Sequence, residues 1–349
     1  MPTHQPGIHQ RPIQLGFIAL SDAAPIIVAH EHGHFARRGL QVTLHREVGW
    51  ATLRDKVIYG ELDVAHGLAG MLVATQLGLG CPASDVMTAC VLSENGNAIT
   101  LSRSLWDAGA HDAAALRTEV RLRHGERRLT FGVVFPWSSH HLMLREWLQA
   151  GGVEPDRDVR VVVVPPAQMF RNLAAGTIDG FCAGEPWNSL CVREGVGVVV
   201  ASSAQDEPAS MEKVLLASTR FAAARRDEHI ALVSALIEAC AWCDESQNRA
   251  ELVPLLARPE YLNVPEAVLA SALVGPFDCG SGRQESATDF IRFARADTNV
   301  PSSERGMALI RRMVASGLVP AKPGDNADLA RRLFREDIYR HALTHLQTA

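Results

Sequence analysis

Along the chain the spacing of apolar residues changes period several times, and each change marks an element. Residues 13–20 (IQLGFIAL) form a β-rich apolar run, and residues 23–35 follow with amphipathic helical spacing. Residues 41–46 (QVTLHR) alternate as a strand does, and helical spacing over 52–59 stops at Gly60, which allows a left-handed C-terminal turn. A short buried strand at 62–65, a helix at 70–77 and strands near 86–92 and 98–101 complete the first part. The pattern then restarts with a strand at 129–134 and a helix at 140–150 ending at Gly151-Gly152. The run VRVVVV at 159–164 predicts a fully buried strand. Pro165-Pro166 opens a helix that ends at Gly176, a strand follows at 178–182, and from about Phe221 the pattern is mostly helical. Strands alternating with short helices predict an α/β fold with mainly parallel sheets. The segments RDKVIYGELDVA (54–65) and RNLAAGTIDGF (171–181) echo each other as helix, glycine and Asp-bearing strand, so two similar lobes are expected.

Composition narrows the function. A chain of 349 residues is long for one core and fits two. Its net charge of −5, with no sustained basic run, argues against direct nucleic-acid binding. No stretch of about eighteen apolar residues is present to span a bilayer. The first residues, MPTHQPGIHQRP, lack the apolar core and cleavage site of a secretory signal. The seven cysteines are odd in number and mostly sit in apolar stretches, which suits buried thiols in a reducing compartment. A cytoplasmic location is therefore expected. Of 34 basic side chains only Lys56, Lys213 and Lys322 are lysine, so each lysine stands against a strong arginine bias.

Two motifs suggest chemistry and do not sustain it. His30-Glu31-His32-Gly33-His34 matches the zinc-protease pattern, which needs one continuous helix, and Gly33 interrupts it. Cys240-Ala-Trp-Cys243 is a lone pair in an apolar helical stretch and reads as buried thiols. Walker A, G-x-S-x-G and G-x-G-x-x-G motifs are absent. The polar residues placed after strands remain, where open α/β sheets bind ligands. Trp50 can donate its indole N–H, and the helix start at Ala51 and Thr52 offers free backbone N–H groups to an anion, although a Trp at a strand end also serves plain packing. His66 ends a strand and Asn97 lies in a turn-like segment, and both have structural readings beside the functional one. Ser138 and Ser139 are natural caps that would put His140 in the first turn of a helix. Gly184 would let backbone approach a ligand, Glu185 follows it, and Lys213 supplies a compact cation beside an apolar strand. One ammonium and several neutral donors, with no carboxylate pair among them, suit a buried small monoanion that is held rather than transformed. No enzyme activity, cofactor or metal is expected.

The stretches Leu15-Gly-Phe-Ile-Ala-Leu-Ser-Asp-Ala-Ala-Pro25, Glu31-x-Gly33-x-Phe35-x-x-x-Gly39-Leu40-x-Val42, Trp50-Ala-Thr-Leu-Arg-Asp55, Gly60-Glu-Leu-Asp-Val-Ala-His66, Val164-Pro-Pro-Ala-Gln168 and Gly184-Glu-Pro-Trp-Asn188 carry a resemblance. They resemble the nitrate- and bicarbonate-binding proteins of cyanobacterial-type ABC importers, in order from about residue 13 to 220 and more loosely beyond. The resemblance implies the type II periplasmic-binding-protein fold, with 12–98 plus 216–349 as lobe one, 99–215 as lobe two and 1–11 as an N-terminal extension. It also implies a nitrate or nitrite site at Trp50, the helix start at Thr52, Asn97, His140, Gly184 and Lys213, and His66 and Glu185 are candidates for a supporting position behind them. Asn97 stands where nitrate binders of that family commonly carry Gln. Without a leader, the chain resembles cytoplasmic nitrate/nitrite sensors of the NasS type. Those hold an ANTAR-type RNA-binding antiterminator inactive and release it when ligand binds. An importer subunit and an enzyme on the same fold, such as a pyrimidine-forming thiamine-precursor synthase, are the alternatives.

Overall fold

Apolar runs flanked by glycine and polar turns become strands that collect in two separate sheets. The computed structural model describes residues 11–123, 127–206, 210–286, 290–320 and 326–348. The first strands are β1 (Ile13–Ile18), β2 (Val42–Glu47), β3 (Val64–Leu68), β4 (Val86–Met87) and β5 (Val91–Asn95). There follow β6 (Asn97–Ser102), β7 (Thr130–Val133), β8 (Arg160–Val163), β9 (Gly180–Gly184) and β10 (Gly197–Ser202). The last are β11 (Met211–Ser218), β12 (Phe277–Gly280), β13 (Arg283–Glu285) and β14 (Ile291–Arg292). One sheet runs β14-β5-β11-β3-β1-β2 with β4 paired to β11, the second runs β10-β6-β9-β7-β8, and β12-β13 form a hairpin.

Both sheets are mixed rather than mainly parallel. The βαβ units β1-β2, β1-β3, β7-β8 and β7-β9 pair parallel, as their helical crossovers require. The strands that carry the chain between lobes, β6 and β11, pair antiparallel with β9 and β3. These two strands also place the lobe boundaries earlier than expected. Asn97 already pairs with Gly184 in the second sheet, and all of β11 from Met211 belongs to the first. At the first crossover Asn95 and Gly96 take left-handed backbone (φ 61° and 87°), which turns the chain sharply from β5 into β6. Asn95 and Ser210 exchange hydrogen bonds there (3.1 and 3.3 Å), tying the two crossing segments together.

The run at 159–164 is not fully buried. β8 is the edge of its sheet, and Val163 is 56% exposed. Continuous apolarity does not distinguish a central strand from an edge strand packed on one face. The zinc-protease-like motif is broken as its glycine indicates. The helix Ala24–Glu31 ends, Gly33 adopts φ 71°, and His34 starts a separate turn in which it bonds Glu238 at 3.0 Å. No helix among the described residues is long and apolar enough to cross a membrane.

The second lobe packs Ile99, Leu101, Phe131, Val133, Leu144 and Leu148 between its sheet and the helices Ala113–Arg123 and Ser139–Ala150. The larger apolar cluster of the first lobe continues across the gap into Phe181, Ala183 and Trp187. Polar clasps hold the lobes together: Trp137 Nε1 donates to the Leu318 carbonyl (2.9 Å), Arg145 Nε to Ser316 (3.0 Å) and Trp187 Nε1 to Ala19 (3.2 Å). The lobes are closed on each other.

Candidate functional site

The segments that follow β1, β2, β7 and β9 meet between the two sheets, joined by side chains from β3, β6 and β11. That is the place where α/β folds put ligands. Trp50 is the first residue of the helix Trp50–Tyr59, whose cap Gly49 is extended (φ −144°, ψ 150°). The indole faces inward, with Lys213 Nζ 5.8 Å from its centroid and the His66 ring 5.6 Å away. His140 is the second residue of the helix Ser139–Ala150, whose cap Ser138 accepts the His141 N–H at 3.1 Å. Asn97 opens β6 directly opposite Gly184. Trp50, His66 and Lys213 come from the first lobe, Asn97, His140 and Gly184 from the second. None of the five side chains among them is more than 2% exposed.

Thr52 stands apart. Its side chain is exposed, because two helical residues beyond Trp50 the chain has turned to the outer face, so only its backbone N–H remains near the group. Gly184 borders the group without being forced by it. A Cβ there would lie 3.5 Å from Asp22 Oδ2 and 3.6 Å from Asn97 Oδ1, ordinary contact distances. Glu185 sits just behind, its carbonyl accepting the Ser21 N–H across the gap at 2.8 Å and its Oε2 accepting the Ser189 N–H at 3.2 Å. Burial pushes the Glu185 carboxyl up to about 7.

The expectation of one ammonium among neutral donors needs correction. Lys213 Nζ lies 2.7 Å from Asp22 Oδ2 and 2.7 Å from Glu212 Oε1, so a pair of buried carboxylates brackets it. Asp22 also lies 3.3 Å from His66 Nε2, and Glu212 Oε1 lies 3.7 Å from His140 Nε2. Burial opposes every charge here. The carboxylates nonetheless overcome it at Lys213, whose pKa is raised, and Lys213 overcomes it at Asp22 and Glu212, whose pKa values are lowered. Burial prevails at the imidazoles: His66 is lowered, and His140 is lowered to about 4. The neutral-pH group is one ammonium, two carboxylates and two uncharged imidazoles.

Asn97 plays a different part from the one expected. Its Nδ2 donates to Glu212 Oε2 at 2.7 Å, so the amide turns a carbonyl oxygen, an acceptor, toward the remaining space. Trp50 Nε1, both nitrogens of His140 and Asn97 Oδ1 are buried without a protein partner. Leaving such a group unpaired costs about 1–3 kcal/mol. Four such atoms in one enclosure offer hydrogen bonds to a small polar solute.

Asp22 and Glu212 were not among the expected site residues. Asp22 had a signal, since Ser21-Asp22 follows β1 at the end where ligands sit. Glu212 had none. In a regular strand its side chain would face away from that of Lys213, but the pairing of β11 with β5 shifts register between Met211 and Lys213. A bulge of this kind brings neighbouring side chains toward one side.

The model of the NMT1-like family matches residues 7–257 of this chain. The nitrate import ATP-binding protein NrtC of Synechocystis sp. is 36% identical over 343 residues, which are 97% of this chain and 51% of that one. The chain thus spans about half the length of that relative. The nitrate/nitrite binding protein NrtA of Synechococcus elongatus is 30% identical over 341 residues, 95% of this chain and 77% of that one. The crystal structure of the periplasmic nitrate-binding protein NrtA from Synechocystis PCC 6803 matches with a TM-score of 0.90 at 28% identity, covering 97% of this chain and 89% of that chain.

Proposed function

The chain belongs to the NMT1-like family and has the two-lobed α/β periplasmic-binding-protein fold, and from that premise we propose that it holds nitrate or nitrite between its lobes. One observation carries the reading. The closed gap gathers an indole N–H, an imidazole whose two nitrogens lack hydrogen-bond partners and an ammonium bracketed by two carboxylates, all buried and drawn from both lobes. Two relatives of which this chain covers three-quarters or more, at 28–30% identity, are named for binding nitrate or nitrite. Those relatives are named as binding proteins rather than enzymes. Calorimetric titration with nitrate, nitrite and bicarbonate tests it. Saturable binding of either nitrogen oxyanion is expected, and heat from bicarbonate alone would reassign the ligand.

The reading extends to sensing. Closure of the lobes is a two-state element, and an ANTAR-type antiterminator that prefers the open or unliganded form would be released as the anion binds. A cytoplasmic setting is supported by the cysteines, all seven of which are free. Mixing the purified protein with the antiterminator should give a complex that nitrate dissolves, and a complex undiminished in saturating nitrate refutes the sensor role. Service as the binding subunit of a nitrate or bicarbonate importer is the second reading. It is favoured by the names of the relatives and distinguished by binding to a permease rather than to the antiterminator.

A further inference from the structure

Resting on the oxyanion reading, we propose that the cleft takes up one proton with each anion, and that His140 receives it. The argument is a count of charge. Asp22 and Glu212 both contact Lys213, so the bracketed ammonium leaves one negative charge over in a group almost wholly removed from water. An anion added to that group would place a second uncompensated negative charge in the same enclosure, and buried charges must be paired.

His140 is positioned to supply the balance. Neither ring nitrogen has a hydrogen-bond partner, and Nε2 lies 3.7 Å from Glu212 Oε1. A neutral imidazole donates from one nitrogen, whereas an imidazolium donates from both. The protonated ring would therefore give one N–H to Glu212 and keep the other for the anion. Glu212 and Lys213 on β11 and Asp22 after β1 are the charged groups that face it. The two carboxylates favour the proton and the ammonium opposes it. Asn97 and Trp50 bear no charge. His66 is the other imidazole, but it lies beside Asp22, whose carboxylate already contacts Lys213. Burial keeps His140 neutral down to about pH 4 in the protein alone, so the proton arrives with the anion and not before it.

The test is calorimetry of the intact protein with sodium nitrate and sodium nitrite in buffers of different ionisation enthalpy. About one proton should be absorbed per anion, with Kd rising about tenfold per pH unit through the neutral range. Binding without proton uptake overturns the proposal. His140→Gln should bind more weakly and lose the uptake of one proton per anion, and retention of full uptake would remove His140 from the role. Glu212→Gln deletes the surplus negative charge, so about tenfold or greater tightening in mildly alkaline buffer is expected, with no uptake. Weakened binding in that variant would mean that Glu212 serves to position Lys213, and would also overturn the proposal. If neither anion binds at any pH, the oxyanion reading itself fails, an outcome distinct from proton-free binding.

Discussion

Gly70→Ala should weaken anion binding without weakening the fold of the lobe that carries it. Gly70 lies in the first-lobe helix Ala69–Gln76. A Cβ at this position would stand 2.3 Å from the backbone carbonyl oxygen of Trp137 in the other lobe and 3.2 Å from Met313 Cε. The carbonyl has no rotamer to escape into, and the Trp137 indole is pinned by its bond to Leu318. Closure over alanine must then shift backbone, at about 1–3 kcal/mol for a misfit of this kind. Parted lobes lose the carbonyl clash and keep only the Met313 contact, whose flexible side chain can give, and there alanine is favoured over glycine by roughly 0.5–1 kcal/mol within a helix. The clash alone, acting between open and closed forms, lowers affinity by about five- to 150-fold when the anion is held by the closed form. Calorimetric titration with nitrate reads the loss, and small-angle scattering reads the fraction of open molecules as a larger radius of gyration. Wild-type affinity in a folded Gly70→Ala protein would refute the requirement for closure at this seam.

Two further outcomes follow from groups around the cleft. Glu185 is raised by burial from 4.5 to about 7, so the folded state holds its proton more tightly than the unfolded chain. Stability should fall as pH rises from about 4.5 to about 7 and level off above, by on the order of 3 kcal/mol, and Glu185→Gln should remove that decline in urea titrations at either end. Six of the seven cysteines are buried and only Cys81 is partly exposed, with burial pushing the Cys240 and Cys243 thiols well above their ordinary value. Alkylation of the native protein should therefore stop at one thiol, and rapid labelling at Cys240 or Cys243 would contradict their packing.

Much of this architecture was legible in the chain because local chemistry and tertiary position agree. Gly60 ends its helix with φ 78°, Ser138 caps the helix that presents His140, and the strand-to-helix segments after β2, β7 and β9 do converge. Thr52 was offered for its backbone N–H at the helix start, and its exposed side chain leaves it that role alone. The lobe boundaries were misplaced. Asn97 reads as part of a turn and Met211 as a flank of an apolar strand, and only their partners across the sheet show which lobe they belong to.

The charge of the cleft was the least legible property, and it bears most on mechanism. Period-two alternation assigns Glu212 and Lys213 to opposite faces, so the lysine reads as a lone cation awaiting an anion. A register shift in β11 sets both beside the same gap, and Asp22 arrives from a turn nearly two hundred residues earlier in the chain. Lys213→Ala, the natural experiment for a lone cation, is consequently ambiguous. It would leave two carboxylates buried and unpaired, a loss of about 3–5 kcal/mol when one partner of a buried ion pair is removed, whether or not an anion ever binds. The sign of the Glu212→Gln effect carries more information than the size of the Lys213→Ala effect. Removing a negative charge improves a site that is limited by charge, and it damages a site that is limited by the placement of its lysine.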